Sequence, residues 1–334
     1  MTKIAILGGG SWGTGLSVVL ANSRRSHDIA LWVREPAIAE SIKTARENAT
    51  YLPGVAIPAC VAPTTDLGEA LSRAHVVVGV VPSAHAREVF TQALPHVSPE
   101  AIIVSATKGL EPATHLRTSQ LLEQVFSIRF IPQLAVLSGP SFALEAARGE
   151  PTAVVLASHD HSIAAFLQGE FAGPTFRLYT NDDVLGVELA GAMKNVMAIA
   201  AGACQGLGFG ANTLAALITR GLAEMTRLAV PLGARPETLG GLAGLGDLVL
   251  TCTGALSRNR HVGFELGKGR SLAEILAGMT MIAEGVGTAT ALLALGREHH
   301  VELPITEQVN AILQQWKSPA EAIRDIMDRP VKRE

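Results

Sequence analysis

Strand-length apolar runs alternate with helically spaced segments through the first half of the chain, and after Tyr179 the strand-like runs stop. Residues 3–7 are apolar after an opening lysine. Three glycines follow, and apolar positions then resume at helical spacing as far as Leu20, which predicts a strand, a tight turn and a helix. Further strand-like runs fall at 29–33, 76–81, 101–104, 134–137, 151–157 and 175–179, with a helical segment around 163–168 between the last two. The run VVVGVV at 76–81 has no polar face, as in a strand covered on both sides of a parallel sheet, and Pro82 stops it. Asn181, Asp182 and Asp183 offer helix-capping side chains, and from Val184 onward the pattern is helical. The prediction is an α/β domain with a mainly parallel sheet over 1–182, followed by an all-α domain over 183–334 whose last residues, 329–334, form a frayed polar tail.

The first turn carries chemistry. Gly8, Gly10 and Gly13 spell G-x-G-x-x-G between a strand and a helix: the first permits the turn, the second admits a diphosphate close to the backbone, and the third lets helix pack on strand. The unpaired N–H groups and positive dipole end of the helix then suit an anion without a dedicated basic side chain. The alternative is a glycine-rich turn that binds nothing; placement after a strand and at a helix start favours a dinucleotide. In such a fold the residue ending the second strand meets the adenosine ribose. Here it is Arg34, suited to a 2′-phosphate, with Glu35 beside it able to serve a plain ribose; NADP ranks ahead of NAD and both stay open. The loops after 101–104 and 134–137 carry Lys108 and Ser141 on the edge where open sheets bind ligands, though loop lysines and serines are more often only solvated.

Within the helix predicted from Val184, one stripe is apolar (Leu185, Leu189, Ala192, Val196, Ile199), and a second face holds Glu188, Gly191, Asn195, Ala198 and Gly202. Small residues there let a ligand or a second helix approach. Lys194 at the edge of that face would be partly desolvated, lowering its pKa toward proton transfer; the competing reading is a lysine that snorkels to water. Downstream, the glycine-rich stretch 241–250 puts Asp247 at a helix start, where it either caps the helix or accepts a hydrogen bond from the lysine. Ser257, Arg258 and Asn259 offer a hydroxyl, a guanidinium and an amide in succession, a set that suits a phosphate ester as readily as a surface loop.

Composition narrows the choices. At 334 residues two domains are expected, and with aromatics at only 4% the core is aliphatic, without stacking platforms for nucleic acid. A net charge of -3, from 27 basic and 30 acidic residues without long runs, gives no footprint for a phosphate backbone. Cys60, Cys204 and Cys252 form neither a disulfide framework nor a metal-ligand spacing, and the chain opens on a strand, so a cytoplasmic protein without a metal is expected. Residues 195–219 carry no charge and are long enough to span a bilayer, but Gly202, Gly206, Gly208 and Gly210 with Gln205 and Asn212 read instead as two helices joined by a glycine loop.

Taken together, the stretches GGGSWGTGL, LWVRE, VVPSAHAREV, SATKGLE, LSGPSFALEAARGEPTAVV, VELAGAMKNVMAIAAG, LITRGLAEMTRL, GLAGLGDLVLTCTGALSRNRHVG and IAEGVGTA resemble the bacterial, biosynthetic NAD(P)-dependent sn-glycerol-3-phosphate dehydrogenases over nearly the whole chain. That resemblance implies a Rossmann domain joined to an all-α domain. It also implies reversible reduction of dihydroxyacetone phosphate to sn-glycerol 3-phosphate with NADP(H) or NAD(H), feeding glycerophospholipid synthesis, with Lys194 as general acid and base. Matched position by position, it places Ser11, Trp12, Arg34, Lys108 and Ala143 on the nucleotide, together with Arg258, Ile282 and Glu284. Lys108, Gly139, Ser141, Lys194, Asp247, Ser257, Arg258 and Asn259 are implied to meet the substrate. Gly9 and Gly15 stand where a larger small residue is frequent, and Gly15 is expected to loosen the first helix. The expected partner is the small-molecule substrate, with a homodimer as candidate assembly. Two rivals compete: a dehydrogenase of 2-hydroxy or sugar acids, which would call for a carboxylate clamp, and a nucleotide-sensing module, which would have no use for Lys194 and Asp247.

Overall fold

The run before the glycines forms strand β1 (Thr2–Leu7), whose Ile4, Ala5, Ile6 and Leu7 are fully enclosed. Seven strands join it: β2 (His27–Trp32), β3 (Val61–Thr64), β4 (Val76–Gly79), β5 (Ile102–Ser105), β6 (Gln133–Ser138), β7 (Thr152–Ala157) and β8 (Phe176–Asn181). In the computed structural model, which describes residues 1–330, they make one sheet in the order β3-β2-β1-β4-β5-β6-β7-β8. Every neighbouring pair is parallel except β6 with β7. Both faces are covered: Ile4, Ile6, Ile29, Leu31, Val76 and Val78 enter one core, while Ala5, Leu7, Ala30, Trp32 and Val77 enter the other. That double burial is why these strands read as unbroken apolar runs.

The pattern missed β3, a four-residue strand containing Pro63 at the edge of the sheet, where a missing N–H is tolerated and no apolar run is needed. It also carried β4 too far. The strand ends at Gly79, and the carbonyl of Val80 then lies so close beneath Gly8 that a Cβ on Gly8 would sit 2.5 Å from it.

The chain divides into two compact units, Met1–Glu111 with Leu116–Glu188, and Pro112–His115 with the chain from Leu189 onward. After Asn181 the described residues contain helices and no strand. Asp183 accepts the Gly186 N–H at 2.8 Å, capping the helix Val184–Gly206. That helix is long and apolar enough to cross a membrane, but 94% of its apolar window is buried within the fold. A loop with Gly208 at φ +86° separates it from the helix Ala211–Ala229, so the uncharged stretch is two helices joined by glycines. At the other end, Arg329 pairs with Glu302 at 2.8 Å; the rest of the expected polar tail, 331–334, lies outside the described residues.

The small-residue face of Val184–Gly206 receives another helix, Arg258–Gly267. Cβ atoms built on Gly202 and Gly206 would fall 1.9 Å and 2.3 Å from the carbonyl oxygens of Arg260 and Phe264, and one on Gly263 would fall 1.9 Å from that of Ile199. Backbone therefore lies against backbone. Elsewhere in this unit the fully buried Glu224 accepts the N–H groups of Ile305 and Thr306 at 2.8 and 2.9 Å, capping the helix Pro304–Leu313; burial holds its carboxyl above the ordinary range while those donors pull it down.

Gly263→Ala is expected to lower the free energy of unfolding measured in urea by about 1–3 kcal/mol, because neither backbone can yield freely. Gly240→Ala, where a Cβ meets nothing within 4 Å, is expected to stay within about 0.5 kcal/mol of the parent in the same measurement.

Candidate active site

In the first unit β1, β2, β4, β5 and β6 run in the same direction, so the loops leaving their carboxyl ends share one edge, and the connectivity reverses between β1 and β4. Ligands of open α/β sheets bind at such a switch point. The three motif glycines divide the work there as their spacing predicts. Gly8 has φ +124° and donates to the Trp32 carbonyl at 3.0 Å. Gly13 lets the helix Ser11–Ala21 settle on the turn, since its Cβ would lie 1.8 Å from the Gly8 oxygen. Gly10 faces open space and begins the helix with no side-chain cap, leaving the first-turn N–H groups to be satisfied from outside. The Trp12 Nε1–H is enclosed and unpartnered, and these features together fit a dinucleotide diphosphate.

Asn48 secures this turn: its amide donates to the Gly9 carbonyl and to Thr14 Oγ1, both at 2.8 Å, and its own oxygen accepts the Tyr51 N–H at 3.1 Å. Sequence reasoning missed it, because it sits 39 residues from Gly9 in a stretch without a motif. Gly15, expected to loosen the helix, has a packing task instead. A Cβ there would come within 2.9 Å of the Ala143 carbonyl, so the glycine lets Ser11–Ala21 lie against the helix Ala143–Ala147.

Arg34 stands at the end of β2, exposed, and its guanidinium donates to Glu35 at 2.9 Å. Lys108, beyond β5, and Ser141, beyond β6, both donate to one acceptor, the Gly139 carbonyl, at 2.8 and 3.0 Å. Gly139 takes φ +128°, the left-handed region that favours glycine, and a Cβ there would press on the Val154 backbone at 3.0 Å. Three predicted positions are thus joined at one carbonyl.

In the second unit Lys194 is 6% exposed and its ammonium donates to Asp247 Oδ1 at 2.6 Å and to Thr251 Oγ1 at 2.9 Å. Asp247 is 1% exposed and begins the helix Asp247–Thr253 directly after a π-helical turn, Leu242–Gly246. Of the two tasks predicted for it, the carboxylate performs the second; Gly246 occupies the capping position. Thr251, missed by the sequence reading, donates to the Asp247 carbonyl at 2.6 Å and so offers its oxygen to the ammonium. One helical turn below Asp247 it was a signal of spacing only, without a functional motif. Next to Thr251 in the chain, burial pushes the Cys252 thiol up to about 12, Lys194 opposing and Asp247 adding to the shift, which leaves this sulfur un-ionised.

Ser257 caps the helix Arg258–Gly267 by accepting the Arg260 N–H at 3.2 Å. The Asn259 amide donates to Asn195 Oδ1 at 2.9 Å and accepts the Gly285 N–H at 2.9 Å, tying three helices together beside Lys194. Arg260 is engaged by the Gly254 carbonyl and by Gln205. Arg258 differs: solvent reaches it, desolvation by surrounding protein pulls its pKa below the ordinary value, and the charge of Glu284 pushes it back. Ile282 is 44% exposed, and Glu284 opens the helix Glu284–Glu298. Among the described residues no cluster of His, Cys, Asp and Glu could hold a metal ion.

Comparison with known proteins gives concordant results. The family model described as NAD-dependent glycerol-3-phosphate dehydrogenase C-terminus matches residues 183–324, and the corresponding N-terminus model matches 3–164. A relative from Koribacter versatilis named glycerol-3-phosphate dehydrogenase (NAD(P)+) is 55% identical over 99% of this chain and 98% of its own length. One of the same name from Acidobacterium capsulatum is 52% identical, covering 99% of each. The crystal structure of a glycerol-3-phosphate dehydrogenase from Coxiella burnetii superposes with a TM-score of 0.93 at 40% identity, covering 98% of this chain and 99% of that one.

Thr251→Val keeps the volume and removes the hydroxyl that receives the Lys194 ammonium. It is expected to cost about 1.5–3 kcal/mol in a denaturant titration, the value of a hydrogen bond to a charged group.

Proposed function

The chain belongs to the NAD-dependent glycerol-3-phosphate dehydrogenase family, and on that premise we propose that it reduces dihydroxyacetone phosphate reversibly to sn-glycerol 3-phosphate, with NADPH preferred and NADH accepted. The observation that carries this reading is the ammonium of Lys194, buried and oriented by Asp247 and Thr251. We assign the nucleotide to 1–182 and the substrate chemistry to 183–334. The bound nicotinamide would supply a hydride to the substrate's carbonyl carbon. Lys194 donates a proton to the carbonyl oxygen as negative charge develops there, and in the reverse direction its neutral amine takes the hydroxyl proton. Asp247 supplies the counter-charge that a buried ammonium needs between turnovers.

Arg258 is the residue we assign to the substrate phosphate, since a guanidinium holds that group through two parallel hydrogen bonds. Ser257 and Asn259 flank it. Lys108, Gly139 and Ser141 are assigned to the substrate as one connected group, supported by their common hydrogen-bonding centre at the Gly139 carbonyl. Binding energy from the unreactive phosphate then positions the reacting carbon. On the nucleotide side, the uncapped helix start after Gly10 and the enclosed indole N–H of Trp12 support the diphosphate assignment, alongside Gly8, Ser11, Gly13 and Ala143, with Ile282 and Glu284 assigned from the helical part. Arg34 is assigned to the 2′-phosphate of NADP. Its bond to Glu35 supports a site open to both cofactors: a 2′-phosphate would displace the carboxylate, while a plain ribose would use it.

We place the protein in the cytoplasm, feeding glycerophospholipid synthesis, a setting that its three free cysteines suit. A homodimer is the proposed assembly, supported by the half-buried Leu214, Ile218 and Leu222, which form one stripe along the helix Ala211–Ala229.

Lys194→Ala is expected to keep NADPH binding, followed by fluorescence, and to lose about 10²–10⁴-fold in turnover; a near-normal rate would refute the acid-base role. Arg258→Ala is expected to raise the KM for dihydroxyacetone phosphate, and an unchanged KM would remove it from the phosphate. Arg34→Ala is expected to cut kcat/KM for NADPH by about 10-fold or more, with NADH changed far less, as the loss of a charge-assisted bond demands; equal losses for both would refute the 2′-phosphate assignment.

A further inference from the structure

Four helices of the second unit, Val184–Gly206, Ala211–Ala229, Pro304–Leu313 and Pro319–Met327, surround a cavity of about 530 Å³. Its volume falls within the ~300–1,000 Å³ typical of small-molecule pockets. The walls are aliphatic, with Ala203, Leu217, Val309, Ile312, Ile323 and Ile326 among them. Three arginines, Arg220, Arg227 and Arg329, complete the lining, and among the described residues no Asp or Glu takes part in it. Glu302, outside the lining, accepts from Arg227 through its carbonyl and from Arg329 through its carboxylate. Each of those guanidiniums has five N–H donors, so these single contacts leave further donor capacity at both.

We propose that this cavity is a binding site for a soluble single-chain anionic amphiphile, its alkyl chain among the aliphatic side chains and its phosphate or carboxylate on the arginines. Two properties of the lining select that class together. Aliphatic walls reward hydrocarbon in proportion to the area removed from water, and a planar guanidinium rewards an oxyanion through paired hydrogen bonds. A neutral hydrocarbon gains only the first, and a cationic amphiphile meets repulsion. A second copy of the chain whose two-fold axis passed through the cavity would set these arginines against their own counterparts. The stripe proposed for the dimer, Leu214, Ile218 and Leu222, lies on a different face of its helix from the cavity-lining Thr213, Ala216, Leu217 and Arg220. The site is independent of the catalytic reading, because binding is measured without turnover.

Calorimetric titration of the full chain with octyl and decyl phosphate, below their micelle concentrations, tests the site. Expected are saturable one-to-one binding and an affinity rising about 15-fold over the two added methylenes. Decanol and decyltrimethylammonium should bind at least about 10-fold more weakly than decyl phosphate. Ala216→Trp, at an exposed wall position, should abolish binding of decyl phosphate; Arg220→Gln combined with Arg227→Gln should weaken decyl phosphate and leave decanol unchanged. Thermal melting establishes that each variant is folded, and should one fail to fold, the chain-length and charge series on the parent protein decide alone. Absence of chain-length dependence, equal binding of the cationic analogue, or undiminished binding by folded Ala216→Trp would overturn the proposal. So would binding to anionic phospholipid vesicles without binding of the monomers. A change in the solution mass of ligand-free Ala216→Trp would assign the groove to a second copy of the chain and overturn it as well.

Discussion

An ammonium group taken out of water must be given an opposite charge, and in the helical part of this protein Lys194 and Asp247 meet that requirement. Lys194 and Asp247 are 6% and 1% exposed and lie 2.6 Å apart, although 53 residues separate them. Their desolvation is costly, so the geometry that joins them has to be well determined. It is determined from both sides. The lysine rides on a helix whose neighbouring residue, Asn195, is locked through Asn259 to the start of another helix. The aspartate is delivered by a π-helical turn in which Gly244 lies against the Leu239 backbone, its Cβ position 2.0 Å from that carbonyl. π-Helical turns of this kind occur often at functional sites.

Close backbone contact is the means by which both units set their geometry. In the sheet it occurs where Gly8 and Gly13 stack against Val80 and each other; in the helices it occurs where Gly202 and Gly206 face Gly263 and Gly267. The two cases have opposite results. At the sheet edge the glycines hold a turn while Gly10 stays open to a ligand, whereas on the helix the small face is filled by protein. The same composition of small residues therefore marked an open turn in one place and a packing seam in the other, and spacing alone did not separate them.

Where chemistry and local pattern coincide, the sequence was readable. The G-x-G-x-x-G turn lies between its strand and helix, and seven of the eight strands announced themselves as apolar runs because a doubly covered sheet demands such runs. Asp247 could be placed at a helix start from its glycines. What remained hidden is non-local or locally featureless. Asn48 acts on a turn 39 residues away, Thr251 matters only because it faces Lys194, and β3 is an edge strand held by pairing and not by hydrophobic content. Gly15 was misread for a related reason: intrinsic helix propensity counts against glycine, but Ala143 leaves no room for a side chain there.

The run Ser257, Arg258, Asn259 and Arg260 shows how a surface-like polar sequence can be resolved residue by residue. Ser257 spends its lone pair on the Arg260 N–H as a cap, Asn259 is committed on both amide ends, and Arg260 is held by a carbonyl and an amide. Arg258 is the member whose side chain reaches solvent while protein crowds and a carboxylate faces it. Its neighbours fix the backbone on either side, so the guanidinium is presented from a rigid base. Such a base reduces the conformational entropy that the side chain has left to lose when it pairs with an anion.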